Sequence, residues 1–227
     1  MNPADRFETD VIPGLAGELK ITFLGHGSLY LEAAGKVIHL DPFGEVADYS
    51  LLPDADLVLI THEHFDHLDQ NALAAIRKAD TVVAANPAAG QQVNGSVILR
   101  NGDRQVLCGF PVEAVPAYNL VHLRENGQPF HPKGVGNGYI LTLAGLRVYI
   151  GGDTENTPEM KALKAIDIAF LPMNLPYTMT PEMVADAARA FKPGILYPYH
   201  FGETEVGQLT ALLAGQPETD VRIRHMP

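Results

Sequence analysis

The chain has 227 residues, 46% of them hydrophobic, enough to bury a large core and exclude disorder. Its formal charge of −11, with no Lys/Arg run anywhere, counts against a nucleic-acid partner. A single cysteine excludes an intramolecular disulfide, and apolar runs of only about five or six residues fall far short of the ~20 that span a bilayer.

From the N-terminus, Met1–Phe7 has neither a basic n-region nor an apolar h-region, so no signal peptide is expected and the chain reads as cytoplasmic. Leu19–Leu24, Ser28–Glu32 and Lys36–Leu40 read as strands, the last two joined at Ala34-Gly35. The apolar run Leu57–Ile60 predicts a strand covered on both faces. Asp69–Ala79 predicts a helix, with Ala72, Leu73 and Ile76 on one face and Arg77 and Lys78 towards its C-terminus. Strands follow at Thr81–Ala85, Ser96–Leu99, Gln105–Cys108 and Val112–Val115, with Asn101-Gly102 as a hairpin signal between two of them. Cys108 itself reads as a buried small hydrophobe.

The second half repeats the rhythm. Gly138–Leu143 and Leu146–Ile150 form a hairpin around Ala144-Gly145, followed by a helix at Pro158–Ala165 and a strand at Ile168–Leu171. A helix at Pro181–Phe191, a strand at Ile195–Tyr199, a helix at Val206–Leu213 and a strand at Asp220–Arg224 complete the chain. Thr-Pro-Glu-Met at Thr157–Met160 and again at Thr180–Met183 pairs an N-cap threonine with proline at the first helical position. No low-complexity linker divides the halves. One domain over 1–227 is expected, two mixed sheets packed together with helices outside.

Chemistry concentrates in Thr61-His62-Glu63-His64-Phe65-Asp66-His67, directly after the Leu57–Ile60 strand. A folding core has no use for that many titratable groups at one point, whereas a pair of metal ions does. In an extended segment His62 and His64 face the same way, so they can close on one ion, while adjacent Asp66 and His67 diverge towards a second. Three later groups also stand where strands stop: His131 in a Gly/Pro-rich loop, Asp153 after Gly151-Gly152, and His200 after Tyr197-Pro198-Tyr199. The two glycines allow the backbone there to approach a neighbour closely. Taken singly, each of these groups reads as a structural residue at a strand end; together with the opening run they read as a site.

The order H-x-H-x-D-H, then His, then G-D-T, then a late His resembles the metallo-β-lactamase superfamily, and within it the small bacterial and archaeal metal-dependent hydrolases. His26 in Leu24-Gly25-His26-Gly27-Ser28, Asp41-Pro42-Phe43 and Pro116-Ala117-Tyr118-Asn119 add to the likeness, which runs from Leu19 to His200. It implies a four-layer αββα sandwich with the site on one edge of the two sheets. It also implies two divalent ions, zinc first with manganese or iron as alternatives. His62, His64 and a third histidine would hold one ion, Asp66, His67 and His200 the other, and Asp153 would bridge both. The third histidine is His131 or, as its rival, His122; His131 is preferred because it precedes Gly138–Leu143 and lies 22 residues ahead of Asp153.

Those ligands imply a metal-activated hydroxide attacking a small ester, lactone or phosphodiester, with Asp66 also accepting a hydrogen bond from the nucleophile. His26, Tyr118, Asn119 and Lys133 are second-tier candidates for contact with a small-molecule substrate, Lys133 by pairing with an anionic group. Two other functions share the ligand set. One is a di-iron redox enzyme, which needs an electron donor that no flavin-like segment supplies; the other is a non-catalytic metal-binding scaffold, which predicts degraded ligands. Members of the family assemble, which leaves a homo-oligomer open.

Overall fold

Alternation with a period of two builds the layers. In β5 (Ala55–Ile60), Leu57 and Leu59 face the space between two sheets, whereas Val58 and Ile60 pack on Leu73 and Ile76 of α1 (Gln70–Ile76). The computed structural model describes residues 6–226, so most of the segment read for a leader, residues 1–5, lies outside the described residues. The first sheet runs in chain order through β1 (Thr9–Gly14), β2 (Gly17–Gly25), β3 (Ser28–Ala33), β4 (Lys36–Leu40), β5, β6 (Arg77–Ala85) and β7 (Val97–Ile98). The second runs through β8 (Arg104–Leu107), β9 (Phe110–Ala117), β10 (Gly136–Leu143), β11 (Leu146–Ile150), β12 (Ile168–Pro172), β13 (Ile195–Tyr199) and β14 (Asp220–Val221).

Each sheet is mixed. Its first four strands pair antiparallel and its last four pair parallel, the fourth strand belonging to both sets. Helix α1 and α2 (Pro87–Gly90) flank the first sheet; α3 (Pro158–Lys161), α4 (Pro181–Phe191) and α5 (Gly207–Leu213) flank the second. The four layers are those expected. Helix α4 starts where Thr180 accepts a hydrogen bond from the Met183 amide, and it ends at Lys192, which takes the left-handed conformation. Val184, Ala188 and Phe191 bury its inner face, where truncating the phenylalanine would cost about 3–5 kcal/mol.

Several elements differ from expectation for physical reasons. Helix α1 stops at Ile76, because Arg77 pairs with Ala55 and the Lys78 ammonium reaches Asp56 at 2.9 Å; both basic residues open β6 instead. Asn101-Gly102 makes no hairpin: β7 lies in the first sheet and β8 in the second, so this turn carries the chain across. Helix α3 closes at Lys161, and the last strand ends at Val221, freeing Arg222 and Arg224 to bind Asp10. Cys108 is half-buried in the turn after β8, its thiol donating to the Asp56 carbonyl at 3.3 Å. Strand β1 was not expected at all; Pro13 masks it, and an edge strand tolerates proline.

Candidate metal centre

The chemistry sits at the ends of strands β4, β5, β11 and β13, all on one edge of the sandwich. Beyond Ile60 the chain does not stay extended. The amides of His67 and Leu68 both donate to the His64 carbonyl, at 3.0 and 2.9 Å, folding Thr61–His67 into a tight turn. His62 and His64 still meet, Nε2 to Nδ1 at 3.0 Å, although the turn rather than a strand's period brings them there.

Asp41, the residue after β4, holds that turn. One oxygen accepts the Thr61 amide at 2.7 Å; the other accepts the Thr61 hydroxyl at 2.6 Å and His67 Nδ1 at 2.8 Å. At the end of β11, Gly152 has φ +64, and a Cβ there would lie 2.6 Å from the Asn137 carbonyl and 3.1 Å from Thr61. This is the close approach expected of Gly151-Gly152, and it seats Asp153 against the turn from the opposite sheet. His26, Asp41 and His200 all take left-handed backbone conformations, a local strain that the surrounding hydrogen bonds sustain.

Asp153 stands at the middle of the cluster. Its Oδ1 is 3.4 Å from His67 Nε2 and 3.5 Å from His200 Nε2; its Oδ2 is 3.2 Å from His131 Nε2 and 3.9 Å from His62 Nε2. Three sets of donor atoms lie within 4.8 Å of one another: His62, His64 and His131; His26, Asp66, His67 and His200; and His62, His67 and Asp153. His122 joins none of them. Its Nδ1 is held by Glu155 at 2.8 Å, so His131 is the histidine that the fold brings to His62 and His64.

Supporting groups fix which nitrogen of each ring faces inwards. Thr61 gives its only hydroxyl proton to Asp41, so at 3.0 Å it accepts from His62 Nδ1, leaving Nε2 unprotonated and facing His64. Asn119 Oδ1 accepts His131 Nδ1 at 2.8 Å and likewise leaves Nε2 free. His67 donates from Nδ1 to Asp41, with the same result.

The consequence is a set of stranded lone pairs. His67 Nε2, His200 Nε2 and Asp153 Oδ1 are buried without any hydrogen-bond partner, three of the seven such atoms among the described residues. Buried polar groups are rarely left so, and three converging on one point fit a cation. Electrostatics agree for His62, His64, His200 and the two carboxylates, and run the other way at His67. Burial holds His62 well below the usual imidazole range, lowers His64, and pulls His200 down to about 4, so these rings are neutral near pH 7. Burial would raise Asp66 and Asp153, but the His26 hydrogen bond and then His67 bring Asp66 down to about 2, and His200, His67 and His131 hold Asp153 well below the carboxylate range. Burial opposes protonation of His67 too, yet Asp153 and Asp41 outweigh it and raise that ring. Neutral imidazoles and ionised carboxylates are the forms that bind metal; His62, His64 and His200 are held in that form, whereas His67 would release a proton as a cation binds.

A cavity of about 630 Å³ opens over the cluster, lined by His26, Asp66, His131, Asp153 and His200 below and by Phe65, Arg124, Phe130 and Tyr177 nearer its mouth. Of the four second-tier candidates only His26 lines it, with Nε2 3.0 Å from Asp66. Asn119 is buried behind His131 and also donates to Glu155 at 3.0 Å. Lys133 is bound to Glu159 at 2.8 Å and Tyr118 at 3.1 Å, away from the cavity.

Sequence reasoning missed the supporting role of Asp41, the membership of His26 among the donors, and Arg124. Asp41 carried one signal, a carboxylate directly after a strand. Arg124 carried none, being an arginine in a polar loop. Buried Glu155, which organises residues 119–122 by accepting the amides of Leu120, Val121 and His122 and the Asn119 side chain, had no signal either.

Residues 20–200 match the family model for the beta-lactamase superfamily domain. A UPF0173 metal-dependent hydrolase of Methanopyrus kandleri is 30% identical over 195 residues, covering 81% of this chain and 84% of its own. A crystal structure described as a metal-dependent hydrolase of Parabacteroides distasonis superposes with a TM-score of 0.92 at 50% identity, covering 97% of this chain and all of that one. Igni18, a metallo hydrolase from Ignicoccus hospitalis, shares the fold with a TM-score of 0.75 at 24% identity, over 91% of this chain and 95% of its own.

Proposed function

The chain belongs to the beta-lactamase superfamily and is a metal-dependent hydrolase, and from that premise we propose that it holds two divalent cations, zinc first, to hydrolyse a small ester, lactone or phosphodiester. The observation that carries the reading is the trio of buried, unpartnered atoms on His67, His200 and Asp153 at the floor of an open cavity. His62, His64 and His131 would hold one cation, Asp66, His67 and His200 the other, with Asp153 between them and His26 beside the second group. Bound there, divalent cations supply Lewis acidity and bring the pKa of water from 15.7 towards about 7.

The chain's own residues account for the rest. Asp66 is ionised and one-fifth exposed at the cavity floor, so it can accept a hydrogen bond from the attacking water while His26 steadies its other side. Asp41, Thr61 and Asn119 hold the imidazoles in one tautomer, which removes reorganisation from the binding step. Among the described residues, no serine or cysteine lines the cavity.

Elemental analysis of protein purified without chelator should find close to two metals per chain, and hydrolysis of a panel of lactones, aryl esters and phosphodiesters should vanish in Asp66→Ala and His64→Ala. Full activity in Asp66→Ala would overturn the mechanism. Iron accompanied by oxygen consumption would instead support the redox alternative.

A further inference from the structure

The cavity changes character between floor and mouth. Its floor is imidazole and carboxylate; its mouth carries Phe65, Phe130 and Tyr177. Phe65 is 74% exposed and Tyr177 45%, a large aromatic area to leave in water. These rings are not loose: Phe130 meets Tyr177 edge-on at 5.0 Å, and Phe65 meets Phe43 likewise at 5.9 Å. The loops that bring them also expose Leu120, Val121, Leu123 and Leu175. Six of the ten exposed large hydrophobics among the described residues therefore lie in the three loops that follow β5, β9 and β12, and of these Phe65 and Tyr177 line the cavity.

Arg124 is the only lysine or arginine among the described residues that lines the cavity. Its guanidinium lies 5.1 Å from the Phe130 ring centroid and donates to the Phe130 carbonyl at 3.2 Å. Both contacts hold the charge in place without neutralising it, unlike Lys133, which Glu159 occupies. Glu63, which also lines the cavity, accepts from Asn86 at 3.2 Å. A preoriented guanidinium fork beside aromatic rings is a receptor for an oxyanion attached to an apolar group.

Resting on the hydrolase reading above, we infer that the substrate is an amphipathic anion: an aryl or alkyl body seated on Phe65, Phe130 and Tyr177, with a carboxylate or phosphoryl oxyanion taken by Arg124 beside the bond to be cleaved. Lys133, with its charge already paired, has no part in this. The same arrangement makes the enzyme favour charged over uncharged esters of equal size, because only the former carry an oxyanion for the guanidinium to bind.

The test uses the metal-loaded full chain and two esters that differ in one charge, 4-nitrophenyl butyrate and mono-4-nitrophenyl succinate. Arg124→Gln should lower kcat/KM for the succinate about tenfold, mostly through KM, leave the butyrate within about twofold, and be partly rescued by Arg124→Lys. Equal effects on both esters, or none on either, overturn the inference while leaving the hydrolase reading intact. If wild type cleaves neither ester, that reading fails for esters, and calorimetry with phenylphosphonate and inorganic phosphate decides the inference separately. Phenylphosphonate binding more tightly than phosphate, and weakened about fivefold or more by Arg124→Gln, supports it. Affinities indifferent to the phenyl group or to Arg124 overturn it. Arg124 is exposed, so the variants should fold like wild type.

Discussion

The first seven strands and the last seven build sheets of the same plan, yet they load the shared edge in opposite ways. The first half delivers His62, His64, Asp66 and His67 from one turn after β5; the second delivers His131, Asp153 and His200 singly, from three places. The sharpest contrast lies between the carboxylates that follow the matching strands β4 and β11. Asp41 spends both oxygens on Thr61 and His67, whereas Asp153 leaves Oδ1 unpartnered among imidazoles. Strand ends place a side chain at the edge in either sheet. The supply of nearby donors then decides whether a carboxylate orients its neighbours or offers charge to something else.

Replacing each carboxylate should separate those roles. Asp153→Asn is expected to reduce metal to one ion per chain or fewer and to cut hydrolysis by about 10³-fold or more, since the charge at the centre of the cluster is lost. Asp41→Asn touches no cavity atom and should weaken metal affinity by about 10–100-fold, recovering activity when metal is added in excess. Competition with a chromogenic chelator measures both. Identical behaviour of the two variants, including recovery, would erase the distinction drawn between the strands.

The second half has its own orienting group, two residues beyond the end of β9. Asn119 fixes His131 by accepting from its amide and its Nδ1, both at 2.8 Å. Asn119→Ala should therefore cost about tenfold in affinity for the more weakly held metal, with far-ultraviolet circular dichroism unchanged. Loss of both metals at once would mean that the two halves do not load independently.

How much of this was legible follows from the reach of the interactions. The cap and proline at Thr180-Pro181 mark helix α4 to the residue, and the imidazole-rich turn after β5 announces itself, because both are written within a few adjacent positions. His131 and His122 could not be separated that way. Their fates depend on Asn119 and on Glu155, the latter 33 residues from His122. Lys133 looked like the anion receptor because nothing local reveals that Glu159 has already taken it. The turn Asn101-Gly102 was equally opaque: a tight turn looks the same whether it joins neighbours in one sheet or crosses to another.

The smallest expected effect tests the comparison away from the metal. His39 and Tyr149 hold the same fourth position in β4 and β11, both fully buried and each with one unpartnered polar atom, Nδ1 and the hydroxyl. Burial alone pushes both towards their neutral forms, lowering His39 to about 4 against the Pro53 hydrogen bond and raising Tyr149 above its usual range. The signs make them opposite sensors. An unfolded histidine takes up protons below about pH 6.5 while folded His39 refuses them until near 4, so its contribution is present above 6.5 and is lost as pH falls. Tyr149 acts only at the other extreme, where the unfolded chain ionises above about pH 10 and stability is lost as pH rises. Between pH 7 and 5.5, His39→Gln should therefore remove about 1 kcal/mol from the acid destabilisation seen by chemical denaturation of metal-free protein, leaving the share of His62, His64 and His200, and Tyr149→Phe should remove none. The glutamine keeps a donor for the Pro53 carbonyl, now 3.0 Å from His39 Nε2, so a loss of acid sensitivity would report the imidazole itself. An unchanged slope in His39→Gln would leave all of the acid sensitivity to the clustered imidazoles and remove His39's share in it.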